Sequence, residues 1–155
     1  MRPLEAGDWP ELAACAADPL IWEQHPEPNR YEPAVFRKFF DAAMASGGAF
    51  ATLDAKTGRI IGSSRFYDLK PEIDQITVGY TFLTRAYWGG RHNREAKQLM
   101  LDHAFRFVDR VVFEIGRDNL RSRKAIEKIG ARLADEYLTD KGVYVLYSLG
   151  RNDWV

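Results

Sequence analysis

The sequence predicts a mixed α/β (α+β) fold: a central, mostly antiparallel sheet of about six to seven strands flanked by about four helices. Three observations predict it. Two helical periodicities open the chain, three strand-like runs separated by turn residues follow, and helix and strand then alternate before a closing pair of strands. That order matches neither an unbroken β-α-β alternation nor an all-β barrel, which leaves a mixed sheet. With 155 residues, 46% of them hydrophobic and 28% charged, the chain is expected to form one domain, residues 1–155, around a substantial core.

Each element has its own signal. Asp8 is placed to N-cap a helix over Trp9 to Ala17, where Trp9, Leu12, Ala13 and Ala16 recur at helical spacing and Asp18-Pro19 ends the run. Gln24 to Pro33 holds three prolines in ten residues and is read as extended or looped. Pro33 suits the first turn of a second helix whose apolar face is Val35, Phe36, Phe39, Phe40 and Ala43, stopped by Ser46-Gly47-Gly48. Strands over Ala49 to Leu53 and Arg59 to Leu69 are joined by a turn-forming run, Asp54 to Gly58, as an antiparallel hairpin. A third strand spans Ile76 to Leu83, with Ile76, Val78, Tyr80 and Phe82 expected on one face.

Beyond it, Asn93 to about Val108 reads as a helix with Ala96, Leu99, Met100, His103, Ala104 and Phe107 inward. Arg110 to Ile115 is a strand broken by Gly116, and a helix from about Asn119 to Ile129 buries Ala125, Ile126 and Ile129 before Gly130. Two strands, Arg132 to Leu138 and Val143 to Leu149, close the chain around Thr139 to Gly142.

The densest chemistry lies in Trp88-Gly89-Gly90-Arg91-His92-Asn93-Arg94-Glu95-Ala96-Lys97, where a strand hands over to a helix. The first N–H groups of a helix lack intrahelical acceptors, and the aligned peptide dipoles make that end partly positive. Glycines let the backbone approach a pyrophosphate closely, and Arg91, Arg94, Lys97 and protonated His92 add charge. Read alone, the stretch is equally a plain turn into a surface helix.

Lysine plus arginine equals aspartate plus glutamate at 22 each, so no global basic field argues for nucleic acid, and the basic run Arg121 to Lys124 is only local. No apolar stretch approaches a membrane span. Cys15 is the single cysteine, which excludes an internal disulfide and a cysteine metal cluster and suits a reducing cytoplasm; no metal motif occurs. Neither Gly-x-x-x-x-Gly-Lys-Ser/Thr nor Gly-x-Gly-x-x-Gly is present, which disfavours other nucleotide-binding classes.

Three segments carry a family resemblance that spans nearly the whole chain. Val78-Gly79-Tyr80-Thr81-Phe82-Leu83 with Tyr87-Trp88-Gly89 and Glu95-Ala96-Lys97, then Asn119-Leu120-Arg121-Ser122 with Glu127-Lys128-Ile129-Gly130-Ala131, and Gly62 to Tyr67, together resemble the GNAT N-acetyltransferases, in the branch containing ribosomal-protein alanine N-acetyltransferases. The short first strand of that family would be Arg2 to Leu4. The resemblance implies acetyl-CoA as co-substrate and no metal. It implies pantetheine contacts at Phe82, Leu83 and Thr84, pyrophosphate contacts at Gly89, Gly90, Arg91, His92, Asn93 and Arg94, and cofactor contacts at Asn119 and Ser122.

The chain departs from the family pattern in places. Arg91 stands at a glycine position and Asn93 at a small one, so either the turn is made by Gly89-Gly90 and Arg91 grips phosphate, or cofactor binding is weakened. The tyrosine acid of many relatives is replaced by Ile126 and a frequent glutamate by Thr77, so the catalytic residues are unassigned. His25 is the candidate for proton transfer, against a loop-anchoring role; Arg65 and Tyr67, with Asp68, are candidates to line the acceptor cleft, and Glu114 is open. His103 is expected in the core, and Cys15 as a small buried residue.

Two functions follow as expectations: acetyl transfer to a primary amine by direct attack, or acyl-CoA binding without turnover, motivated by Ile126 and Thr77. The expected partner is a small-molecule amine or a protein N-terminus, with neither nucleic acid nor membrane. A homodimer is left open, since Trp154 can pack on another subunit or on its own sheet.

Overall fold

In the computed structural model, which describes residues 1–154, the chain runs β1 (Arg2–Pro3), α1 (Trp9–Ala16), α2 (Pro33–Ser46), β2 (Ala49–Leu53), β3 (Ile60–Lys70), β4 (Gln75–Leu83), α3 (His92–Ala104), β5 (Arg110–Gly116), α4 (Leu120–Glu127), β6 (Arg132–Thr139) and β7 (Gly142–Gly150). The strands form one sheet in the order β1-β2-β3-β4-β5-β7-β6. Only β4 and β5 pair in parallel, as the crossover through α3 requires; the other neighbours are antiparallel.

Each sheet face buries its own cluster. On the first face α1, α2 and the turn between them place Leu12, Phe36, Phe39, Phe40 and Trp22 against Ala49, Ala51, Ile60 and Phe82. On the second, α3 and α4 place Met100, Leu101, Ala104 and Ile126 against Val111, Phe113, Ile115, Val145 and Tyr147. Pro33 presets the first turn of α2, and Gly47 at φ 65° closes it, a conformation in which a Cβ would be strained. No helix among the described residues is long and apolar enough to cross a membrane.

Four expectations are corrected. Asp8 precedes α1 but does not cap it; its buried carboxylate accepts two bonds from Arg2, at 2.7 and 2.6 Å, and one from the Glu5 N–H at 2.9 Å, tying β1 to the following turn. The face of β4 is not continuous: the register slips between Ser63 and Arg65, and Tyr80 takes φ 52°. This bulge turns the strand over, so Val78 packs in the second-face core and Phe82 in the first. The buried side of α3 is rotated, with Lys97 and Leu101 inside and Leu99 and Phe107 exposed. His103 is exposed as well, its ring 6.0 Å from Phe66 and 5.3 Å from Phe107 beside a shallow apolar depression. The residues 24–33 segment takes the looped alternative, as successive turns.

Trp154 packs on its own molecule, donating its indole N–H to Asp102 at 2.7 Å. Cys15 is half-buried, its thiol 3.1 Å from the Ile60 carbonyl, and burial pushes its pKa up.

Candidate active site

β4 and β5 pair over three positions only, Gln75–Arg110, Ile76–Val111 and Thr77–Val112. Past these, β4 stays with β3 to Leu83 while β5 follows β7 to Gly116, so a wedge opens between their inner edges. The bulge at Tyr80 sits where the strands part, and the extra residue there bends and twists β4 away.

On one side of the wedge lies the start of α3. Gly89 takes φ 71°, whereas Arg91 sits at φ −74° in ordinary helical conformation, so the turn is made by the glycine and Arg91 needs no strained backbone. The N–H groups of residues 89 to 94 meet no acceptor among the described residues, the pattern expected of a helix start aimed at an anion. The Arg91 guanidinium is largely exposed and lies 3.3 Å from Glu95. The His92 ring packs edge-on to Tyr87 at 4.9 Å, and Asn93 accepts from Lys97 at 3.0 Å. Lys97 is buried without a carboxylate partner, and burial lowers its pKa to about 8.

The other predicted cofactor contacts are mixed. Phe82 is a core side chain, and the carbonyl of Leu83 accepts the Trp88 indole N–H at 2.8 Å. The Thr84 N–H donates to Ile61 at 2.8 Å, and its buried hydroxyl lies beside the Cys15 thiol. Asn119 caps α4, its side-chain oxygen accepting the Ser122 N–H at 3.2 Å. Arg121 lies over the Trp88 ring at 4.0 Å and pairs with Glu23 at 2.7 Å, drawing the first turn of α4 across the mouth of the wedge.

The opposite side holds a carboxylate gripped by two phenols. Glu114 faces away from the core that Phe113 and Ile115 enter; its oxygens accept from Tyr67 at 3.0 Å and from Tyr137 at 2.9 Å. Burial first and the Glu114 charge next push the Tyr67 hydroxyl well above its usual range, and burial and the same bond raise Tyr137, so both stay protonated donors. Gly79 makes room for this: a Cβ there would stand 2.9 Å from the Tyr67 ring.

Tyr67 packs against Tyr80 at 5.1 Å, and Tyr80 covers the Arg65 guanidinium at 4.1 Å. Arg65 is buried, not directed to solvent, with Nη2 donating to the Phe39 carbonyl at 3.3 Å. The segment after Trp22 folds over this region, and Pro26 fills the space beside Gly116 at the end of β5, where a Cβ would come within 2.5 Å. His25 holds that segment together: Nδ1 accepts the Glu27 N–H at 2.9 Å, and Nε2 lies 3.2 Å from Arg30. Burial, reinforced by Arg30 and Lys141, depresses its pKa to about 3, so the ring is neutral, with Nδ1 as the acceptor for the Glu27 N–H.

Arg65 and Tyr67 thus belong to one contact cluster, in which Tyr80 lies against both, Tyr67 and Tyr137 share Glu114, and Arg30 stacks on the same Phe39 ring as Arg65. Arg30, Tyr80 and Tyr137 went unpredicted; Tyr137 lies 23 residues from its Glu114 partner, so no local spacing links them. Among the described residues no group of three or more His, Cys, Asp or Glu is arranged to hold a metal.

Residues 1–132 match the family model described as an acetyltransferase (GNAT) domain. No match is found among curated proteins. Among solved structures, a GCN5-related N-acetyltransferase from Brucella melitensis superposes with a TM-score of 0.85 at 21% identity, covering 98% of this chain and 75% of that one. Mycobacterium smegmatis RimJ in complex with CoA-disulfide gives 0.75 at 15% identity over 97% and 81% of the two chains. Spermidine N-acetyltransferase from Vibrio cholerae, in complex with CoA and spermine, gives 0.76 at 12% over 98% and 95%. The parted strands, the bare helix start between them and the family match over most of the chain lead to one conclusion: this protein belongs to the GNAT family of N-acetyltransferases.

Proposed function

We propose that residues 1–155 act as one domain that transfers an acetyl group from acetyl-CoA to a primary amine by direct attack, in the cytoplasm. The observation that supports this most is the parting of β4 and β5 between the unpaired N–H groups of the α3 start and the Glu114 carboxylate. The residues present fit the co-substrate: the N–H groups of residues 89 to 94 suit a pyrophosphate, with Arg91, His92 and Arg94 as charges beside it. The free inner edge of β4 through Phe82 and Leu83 suits an amide-bearing arm, with Asn119 and Ser122 across the wedge. Acetyl-CoA, when bound, supplies the thioester carbonyl for the amine to attack.

Glu114 binds the incoming ammonium and takes its proton, while Tyr67 and Tyr137 fix both carboxylate oxygens and leave lone pairs for the amine. His25 is assigned to anchoring the loop, because its Nδ1 is held by the Glu27 N–H and burial keeps the ring neutral. Ile126 is buried in the core, so α4 offers no phenol at the position relatives use, and this favours the second reading, acyl-CoA binding without turnover. One assay separates the two: acetyl-CoA with an amine panel of peptide N-termini, polyamines and amino acids, following thiol release and product mass. Acetylated product supports the enzyme; bound acetyl-CoA with no product from any amine supports the binding protein.

A further inference from the structure

Arg65 is the cation in this cleft that the protein itself does not neutralise. The residue is 6% exposed, yet among the described residues no carboxylate lies within ion-pair distance of it. Its one hydrogen bond is to the Phe39 carbonyl, and its buried Nε has no partner. Tyr80 at 4.1 Å and Phe39 at 5.5 Å offer ring faces, which ease the burial of a guanidinium but satisfy none of its N–H groups. A buried charge left in this state is costly, and a structural role alone would be served as well by an apolar side chain.

The surroundings carry the same sign. Arg30, also 6% exposed, lies 4.9 Å from the other side of the Phe39 contact, paired with Glu27. Glu27 is shared with Lys141 at 2.5 Å, so Arg30 and Lys141 divide a single carboxylate and none reaches Arg65. Glu114 stands beyond the Tyr67–Tyr80 pair, whose rings are 5.1 Å apart. The cationic side and the carboxylate are thus the two ends of one chain of contacts, Arg65 to Tyr80 to Tyr67 to Glu114.

We propose that the acceptor is an aminocarboxylate: its ammonium goes to Glu114, and its carboxylate is held by Arg65, with Arg30 adding to the field. This rests on the acetyl-transfer reading and adds the chemical class of its acceptor. A carboxylate matches the planar fork of a guanidinium and supplies the oxygens that Nε lacks. It also separates acceptors sharply, because an amine without the anion leaves the buried arginine unpaired.

The test uses aminocarboxylates with one to four carbons between amine and carboxylate, each against its own carboxamide. Calorimetry on the CoA-loaded protein reads binding, and thiol release from acetyl-CoA reads turnover. For at least one chain length, the carboxylate is expected to bind about tenfold or more tightly than its carboxamide, and Arg65→Gln is expected to bring the ratio close to one. Guanidinium nitrogen NMR of the wild-type protein gives a second readout if the variant does not fold: the Arg65 Nε–H resonance moves with the carboxylate and not with the carboxamide. Equal affinity across every pair overturns the proposal, as does a preference that survives Arg65→Gln or leaves the Arg65 resonance in place. Preference without thiol release from any amine would retain the aminocarboxylate site and remove the enzyme reading; thiol release without preference would do the reverse.

Discussion

Glu114 stands between two core residues, Phe113 and Ile115, and gains its significance only from Tyr67, 47 residues earlier, and Tyr137. If it takes the proton of the amine, Glu114→Gln keeps the shape and an acceptor for one of the two tyrosines but loses the base. The expected result is a fall in kcat of about 10²–10⁴ with the Kd for acetyl-CoA unchanged, measured by steady-state rates and calorimetry. Full activity in the variant would remove Glu114 from the chemistry. His25 gives a second prediction with a defined sign. Its folded pKa is about 3, against an ordinary value near 6.5, so below the latter the unfolded chain binds a proton that the folded loop does not. The stability contribution is complete above about pH 6.5 and is lost as pH falls towards about 3, reaching up to about 2 kcal/mol at about pH 5. Denaturant melts should show His25→Gln less stable than wild type at neutral pH and flatter on acidification. Parallel curves for the two proteins would exclude His25 as the source.

Among the elements, those with strong periodicity were legible. The aromatic face of α2 and the helix-stopping Gly47 are local signals, and the structure places them as the spacing predicts. The facing of β4 was not legible, because alternation holds only while the register does, and nothing in Gly79-Tyr80-Thr81 announces a tyrosine at positive φ. The same bulge parts β4 from β5, so the feature that opens the site is the one that defeats the pattern. On α3 the stripe was misplaced for a different reason. Leu99 and His103 border an open depression and Phe107 is exposed beside His103, while Lys97 lies inside on the row of Leu101. Lys97 has one partner, Asn93, and a pKa lowered to about 8 by burial. A charge held this way opposes folding, so Lys97→Met is expected to stabilise the protein by about 1–3 kcal/mol in denaturant melts. A loss of stability would mean that the ammonium is better satisfied than its contacts indicate.

At the scale of the whole molecule, the two sheet faces divide the work. α1 and α2 pack on the first face as far as Phe82 of β4, with Glu114, Tyr137 and the folded 24–33 segment beyond them; α3 and α4 cover the second. The faces communicate through the wedge between β4 and β5, which a family match locates only because the strand order is known. If the co-substrate lies in that wedge, its amide groups complete the unpaired edge of β4, and its phosphates occupy the N–H groups at the start of α3. Backbone hydrogen exchange should then slow on CoA addition at residues 78 to 83 and 89 to 94, where amides lack a second strand or a helical acceptor. β7 is already paired on both sides, with β5 and β6, and β6 is the edge strand away from the wedge, so their exchange should not change. Protection spread evenly over all strands would point to global stabilisation by a ligand bound elsewhere. Protection confined to residues 89 to 94 would place the phosphates correctly but leave the arm outside the wedge.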